Sequence, residues 1–294
     1  MAIAFRHIAI IGTHRNPCVK ETVVHLHQYL QNHAALYIEL ETADSLDFNP
    51  KNIYTLDEIA KNCDLAIIVG GDGNFLNASR ILSCSDSIPV VGINRGSLGF
   101  LTDIMPDEIE TRLMPILQGQ YIKERRFMFK TYAYRGAQLL GEASAFNEIV
   151  LASGSHSRLF EMRISIDGSY AFDQRADGII VSTPTGSTAH ALSAGGPIMH
   201  PSLNATVIVP MFSHSLNSRP LIINGDSSVE ILIGHYNEPS PILSFDGHSE
   251  LSLKAEDRIL INKDRHHVSI LHPLDYDYYH NLRAKLHWGK MLFP

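Results

Sequence analysis

The chain has 294 residues, of which 45% are hydrophobic and 19% charged, and a formal net charge of −7 at pH 7. That length and composition fit an ordinary globular protein of one or two domains, and the negative balance excludes nucleic acid as the main partner, which needs a basic face. No apolar run approaches the ~20 residues of a membrane-spanning helix, and the first residues read as a strand rather than a secretory signal.

Three cysteines, Cys18, Cys63 and Cys84, have neither metal spacing nor an even-numbered framework, so free thiols in a reducing cytosol are expected. Among sixteen histidines there is no HExxH, and His25 and His27 would point to different sides of a helix. No metal ligands are assigned.

In chain order, His7–Gly12 reads as a strand ending in a turn, and residues 18–32 as a helix with Val23, Val24, Leu26 and Leu30 at near-helical spacing. Residues 35–40 read as a strand, Leu56–Asn62 as a short helix, 65–69 and 89–93 as strands, and 75–82 and 106–118 as helices. This alternation predicts a Rossmann-like α/β domain over residues 1–125, a parallel sheet with helices on its faces. From about 126 the pattern changes to short runs at 127–134, 161–166, 179–182, 205–209, 229–233, 242–245, 258–262 and 268–271. Turn pairs such as Asp167-Gly168, Asn224-Gly225 and Asp246-Gly247 separate them, which predicts a β-rich, sandwich-like second domain over 126–273. The tail is helical again over 275–288, and Tyr276, Tyr278, Tyr279, Leu282 and Leu286 suit it to docking on a core.

The most informative stretch is Gly70-Gly71-Asp72-Gly73-Asn74, directly after the buried-strand run Leu65-Ala66-Ile67-Ile68-Val69 and before a helix. Glycines there let a ligand approach the backbone, and a helix N-terminus presents unpaired N–H groups to an anion. Asp72 would repel a phosphate unless it takes a proton or holds a metal. Residues 177–198, DGIIVSTPTGSTAHALSAGGPI, crowd Ser182, Thr183, Thr185, Ser187 and Thr188 at a strand-to-helix turn, more hydroxyls than one cap needs. They are expected to meet a nucleotide's ribose or phosphate. Residues 92–101 carry three glycines after a strand, with Arg95 able to meet a phosphate or to sit in a plain loop. Asn147-Glu148 opens a strand, and Arg175 and Asp177 stand two apart, on one face of an extended segment.

Together these residues resemble the NAD kinase family, within the superfamily it shares with diacylglycerol and sphingosine kinases. The resemblance rests on GGDGN at 70–74, GINRGSLGFLTD at 92–103, Asn147-Glu148, the 177–198 segment and SRPLII at 218–223, in order along most of the chain. It implies transfer of the ATP γ-phosphoryl group to the 2′-hydroxyl of NAD's adenosine ribose, forming NADP. It also implies Mg²⁺ or another divalent cation, a cytoplasmic location, a homo-oligomer (dimer or tetramer), and a segment 274–294 returning to the first domain. By position, Asp72 matches the proton acceptor and Gly73 lies beside it in the nucleotide site. Asn147, Glu148, Arg158, Arg175, Asp177, Thr188, Ala189, His190, Ala191, Leu192, Ser193 and His248 match positions that touch NAD. Relatives carry tyrosine at His190 and often glutamine at His248; a stacking contact by His190 would be weaker than tyrosine's and sensitive to pH.

Three other readings compete. A lipid kinase of the same superfamily needs a membrane-facing basic amphipathic surface, and none is visible. A non-catalytic dinucleotide sensor would be expected to have lost the site carboxylate, which is present as Asp72. A dehydrogenase would open its first helix with GxGxxG, where Gly12-Thr13-His14-Arg15-Asn16 stands. There is no GxxxxGK[ST] either, so the phosphate cradle is not a P-loop.

Overall fold

The computed structural model describes residues 3–12, 17–44, 52–83, 88–96, 99–154, 159–215, 217–235 and 240–287. The first part of the chain runs β1 (His7–Gly12), α1 (Pro17–Leu30), β2 (Ala35–Glu39), α2 (Leu40–Ala43), β3 (Ile53–Tyr54), α3 (Leu56–Asn62), β4 (Leu65–Gly70), α4 (Asp72–Leu82), β5 (Val90–Asn94) and α5 (Met114–Leu117). There follow β6 (Ile122–Arg135), β7 (Gln138–Ala145), β8 (Glu148–Ser153), β9 (Phe160–Ile166), β10 (Ser169–Ala176), β11 (Gly178–Ser182), α6 (His190–Ser193), β12 (Ala205–Met211) and β13 (Leu221–Asn224). The chain closes with β14 (Val229–Ile233), β15 (Pro241–Phe245), β16 (Ser249–Ser252), β17 (Asp257–His272) and α7 (Tyr278–Leu286). No helix among the described residues is long and apolar enough to cross a membrane.

Two compact units result: residues 1–125 with 268–294, and residues 126–267. Residues 268–273 therefore group with the first unit. The first unit is the expected α/β domain. Its strands lie in the order β5-β4-β1-β2-β3, all parallel, and the end of β17 adds beside β5 with Ile270 opposite Val90. All six residues of β4 are buried, as a central strand covered on both faces requires. Ile8, Ile10, Ile67, Val69, Val91 and Ile93 pack in one core with Val19, Val23, Leu26 and Leu30 of α1. The alternate residues Ala66 and Ile68 are equally buried, and α4 packs against β4. The chain leaves β1 toward β2 on one side and adds β4 on the other, so the topological switch point lies beside the carboxyl end of β4.

One expected element differs. Residues 106–118 are not a single helix but a 3₁₀ turn (Pro106–Glu108), a π turn (Ile109–Leu113) and α5. Pro115 sits in the first turn of α5, where its missing N–H breaks the i→i−4 ladder of a continuous helix.

The β-rich unit has two sheets. One runs β10-β9-β14-β17, with β6 pairing β17 and β7; the other is an antiparallel sheet in the order β13-β12-β11-β8-β15-β16. Ile149, Leu151, Ile179, Val181 and Leu243 of the second meet Phe160, Met162, Ile164, Ile231 and Ile259 of the first in a shared core, which is the sandwich expected. The runs at 258–262 and 268–271 belong to one 16-residue strand, β17. Its polar middle reads as a loop, yet Lys263 keeps its place on the strand by pairing with Asp226 at 2.8 Å and lying over the Phe127 ring.

Candidate functional site

In the first unit, the glycine turn stands at the carboxyl end of β4. Gly70 has φ +149°, a conformation that side chains rarely adopt, and a β-carbon there would press on Asn74 at 3.1–3.2 Å. Asn74 Nδ2 donates to the Val69 carbonyl at 2.9 Å and so closes the turn. The N-cap of α4 is Gly71, and no side chain caps it. A β-carbon added at Gly71 or Gly73 would meet nothing within 4 Å. Protein packing therefore does not explain these two glycines. An uncapped helix start under open space is a seat for an anion.

Asp72 is the first residue of α4. Its Oδ2 accepts the Phe100 N–H at 2.8 Å and its Oδ1 the Leu101 N–H at 3.1 Å. Gly99 makes that approach possible: a β-carbon there would fall 2.1 Å from Asp72 Oδ1 and 2.6 Å from Thr102 Oγ1. Lys285, near the end of α7, brings its Nζ to 3.8 Å from Asp72 Oδ2. Arg95, the phosphate candidate of the sequence, instead donates to the Thr22 hydroxyl and lies 3.8 Å from Glu21. The sequence carried no signal for Lys285, and it marked Gly99 only as one glycine of three.

In the β-rich unit, Asn147 and Glu148 lead into β8. The Asp246 carboxylate accepts three successive N–H groups, those of Phe146 (2.8 Å), Asn147 (2.7 Å) and Glu148 (3.1 Å), and so fixes the pair. The hydroxyl-rich turn fixes it from the other side. Thr183 N–H and the Ser182 hydroxyl donate to the Asn147 carbonyl at 2.9 and 3.3 Å, and the Thr183 hydroxyl donates to the Phe146 carbonyl at 2.8 Å. Ser187 donates to the Pro184 carbonyl at 2.7 Å and accepts the Met199 N–H at 3.0 Å. These buried hydroxyls hold the turn together, contrary to the expectation that they face a ligand. Gly186 belongs to the same construction, since a β-carbon there would sit 2.3 Å from the Asn147 carbonyl.

What remains for a ligand is on the side chains. Asn147 Oδ1 and Glu148 Oε2 are buried without a hydrogen-bond partner, a costly state unless something else supplies the donors. Glu148 is 1% exposed, and its Oε1 meets His190 Nδ1 at 2.6 Å. Burial pushes the Glu148 carboxyl above the ordinary range and Asp246 adds to that, while His190 opposes both. The His190 side chain is 66% exposed, at the start of α6, which His190, Ala191, Leu192 and Ser193 form after the 3₁₀ turn ending at Thr188 and the non-helical Ala189. His248 lies in the exposed turn after Asp246, its N–H on the Phe245 carbonyl at 3.0 Å.

Within this unit the structure thus brings Asn147, Glu148, Thr188–Ser193 and His248 to one end of β8, β11 and β15. Asp177 stands just before the other end of β11, five residues from Ser182 and on the order of 16 Å along an extended strand, and Arg175 lies beyond it near the end of β10. Arg175 there lines a cavity of about 800 Å³ with Arg163, His214 and His235. Arg158 lies outside the described residues.

Two family models match the chain: the ATP-NAD kinase N-terminal domain over residues 10–121 and the ATP-NAD kinase C-terminal domain over 146–272. The chain is 48% identical over 297 aligned positions to the NAD kinase of Francisella tularensis subsp. novicida and 42% identical over 294 to that of Colwellia psychrerythraea, with each pair covered in full. Among solved structures it is similar to yeast NADH kinase complexed with NADH (TM-score 0.89, 25% identity, 97% of this chain and 88% of that one). The NAD kinase of Archaeoglobus fulgidus in complex with ATP shares the fold (TM-score 0.72, 23% identity, 96% of this chain and 98% of that one).

Proposed function

The chain belongs to the NAD kinase family, and from that premise we propose how its residues move a phosphoryl group from ATP to the 2′-hydroxyl of NAD's adenosine ribose. The open, uncapped start of α4 receives the donor's phosphates on its N–H groups, at Gly71, Asp72 and Gly73. Asn147 Oδ1 and Glu148 Oε2 accept from hydroxyls of the acceptor, which supplies the donors they lack. Thr188, Ala189, His190, Ala191, Leu192, Ser193 and His248 line the same end and contact NAD.

Asp72 is the general base. The ribose O2′ attacks the γ-phosphorus, the bond from that phosphorus to the β,γ-bridging oxygen breaks, ADP leaves, and the hydroxyl proton passes to the Asp72 carboxylate. The two N–H groups of Phe100 and Leu101 aim that carboxylate without using all its lone pairs. Phosphoryl transfer has a loose transition state, so positioning and charge neutralisation supply most of the acceleration; a positioned base adds about 10²–10⁴-fold. The observation that carries this reading is a carboxylate held at the mouth of a glycine turn that protein packing leaves open.

A divalent cation fits the residues present. Asp72 holds both its oxygens on the N–H groups of Phe100 and Leu101 and keeps its role as base, so the ion would be held chiefly through substrate phosphates and water. Held so, it would neutralise phosphate charge.

A homo-oligomer belongs to the same reading, because Arg175 in β10 and Asp177 before β11 stand at the far end of β11 from Asn147 and Glu148, and a second copy would present them. The location is the cytoplasm. The test is Asp72→Asn, assayed for NADP formation from ATP and NAD with a divalent cation. We expect folding unchanged, NAD binding retained and kcat lower by about 10²–10⁴. Activity within about twofold of the parent chain would overturn the assignment.

A further inference from the structure

The glycine turn has an unmet electrostatic need. A triphosphate brings several negative charges against Asp72, and a turn of this kind in P-loop enzymes carries its own lysine. Here residues 65–79 contain neither lysine nor arginine. Arg80 lies in the last turn of α4, with Nη2 on Asn77 Oδ1 at 3.0 Å, and Arg95 is turned toward α1. The cation at the mouth comes from elsewhere in the sequence. Lys285 reaches Asp72 Oδ2 at 3.8 Å, and its side chain is 30% exposed. Its Nζ also lies 5.6 Å from the centre of the Phe100 ring, the residue whose N–H holds the same oxygen.

The chain builds a mount for this lysine. Residues 99–103 touch the carboxylate at one end and the C-terminal segment at the other. Asp103 Oδ1 accepts from Asn281 Nδ2 at 3.1 Å, and Asp103 Oδ2 pairs with His272 Nδ1. Asn281 and Lys285 are four apart on α7, hence on one face. Leu282 beside them is buried, and Asp277 caps the helix by accepting the Tyr279 N–H at 2.8 Å. His272, fully buried, also meets Glu124 Oε2 at 3.0 Å through Nε2 and stacks on Tyr276 at 3.9 Å. An anchor of this quality fixes the start of the segment that ends at Lys285.

We propose that Lys285 is a donor-phosphate-binding residue: it pairs with Asp72 while the site is empty and moves to a terminal phosphate oxygen when the donor binds, releasing Asp72 to accept the proton. This rests on the placement of the donor at the glycine turn. It gives Asp72 a partner in each state, and it explains how a carboxylate tolerates a polyphosphate nearby. An ammonium shifts between two anions about as readily as a lysine rotamer turns, since both are point-charge contacts without fixed fork geometry.

The test is Lys285→Gln and Lys285→Arg in the full chain, with steady-state kinetics for each substrate and direct calorimetric titration of inorganic tripolyphosphate. We expect Lys285→Gln to raise the KM for ATP about tenfold or more and to weaken tripolyphosphate to a similar degree, with the KM for NAD within about twofold. Lys285→Arg should recover most of both losses. A lysine serving only to hold α7 would instead lower the melting temperature and leave the ATP KM and tripolyphosphate affinity unchanged; that result overturns the proposal. The Asp72 assignment is separable. Loss of tripolyphosphate affinity in Lys285→Gln with full kcat in Asp72→Asn would keep the lysine and discard the base; the reverse pattern would keep the base and discard the lysine.

Discussion

The two places proposed for donor and acceptor are built from opposite materials. At the start of α4 the protein offers backbone, glycines with nothing around them, and a carboxylate whose two oxygens are already held. At the start of β8 it offers side chains, tightly fixed and buried, with two oxygen atoms left wanting. The first arrangement accepts charge wherever a phosphate places it. The second is costly until a molecule with hydroxyls in the right places arrives, and a site of that kind rejects analogues lacking them.

The sharpest way to break the contrast is a pair of glycine substitutions. Gly99→Ala should cost most, because its methyl would overlap the Asp72 carboxylate. We expect a loss of roughly 1–3 kcal/mol in stability together with a fall in kcat as Asp72 is displaced, read by thermal melts and initial rates. Gly73→Ala should do the opposite to stability, because alanine is the better helix former by about 1 kcal/mol and meets no protein atom, while the KM for ATP rises. Equal destabilisation by both would show that the turn is closed by packing and not kept for a ligand.

Glu148→Gln tests the second material. The folded state raises the carboxyl's pKa through burial, so folding disfavours the charged form relative to the protonated one. Its stabilising contribution is complete below the unfolded value near 4.5 and is lost as pH rises through the folded value. Removing the charge should therefore raise the melting temperature by about 2–4 °C at neutral pH, for roughly 1 kcal/mol gained, with the difference shrinking toward pH 4.5. The NAD KM should move the other way, upward by about tenfold, for a lost hydrogen bond to a charged group. A melting curve that responds equally at all pH values would remove burial of charge as the cause.

His190→Tyr is the smallest and most specific change. It removes the contact to Glu148 Oε1 and keeps an aromatic face. We expect the NAD KM to change by about threefold or less and its dependence on pH to flatten, since a tyrosine does not change charge near neutral pH as an imidazole does. An identical pH profile in both chains would take His190 out of NAD binding.

Much of this was legible beforehand, because local rules decided it. The β1 and β4 strands, the glycine turn and the Asp72 position follow from apolar runs and glycine spacing that no distant contact overrides. The hydroxyls of 182–188 were legible as a cluster but not as to their use; whether a serine faces a ligand or a carbonyl depends on the Asn147 segment 35 residues away. The polar middle of β17 and the broken helix before α5 were hidden for a related reason, since pairing partners and one proline set the backbone where composition suggested otherwise. Lys285 was illegible in principle. A single lysine in a helical tail has no spacing to anything, and its meaning arises only when the fold places it 213 positions from its partner (285 against 72).

The route of the chain has a consequence for how the enzyme is made. Residues 268–272 form the strand beside β5, and they are synthesised after the whole β-rich unit. Until then the start of β5 at Val90 lacks that neighbour, an exposed edge of the kind that recruits other chains, while Ile104 already bridges Ile93, and Lys285 is not yet beside Asp72. A chain released before residue 268 would own the glycine turn and the Asn147–Glu148 pair, yet it would lack Ile270 beside Val90 and Lys285 beside Asp72.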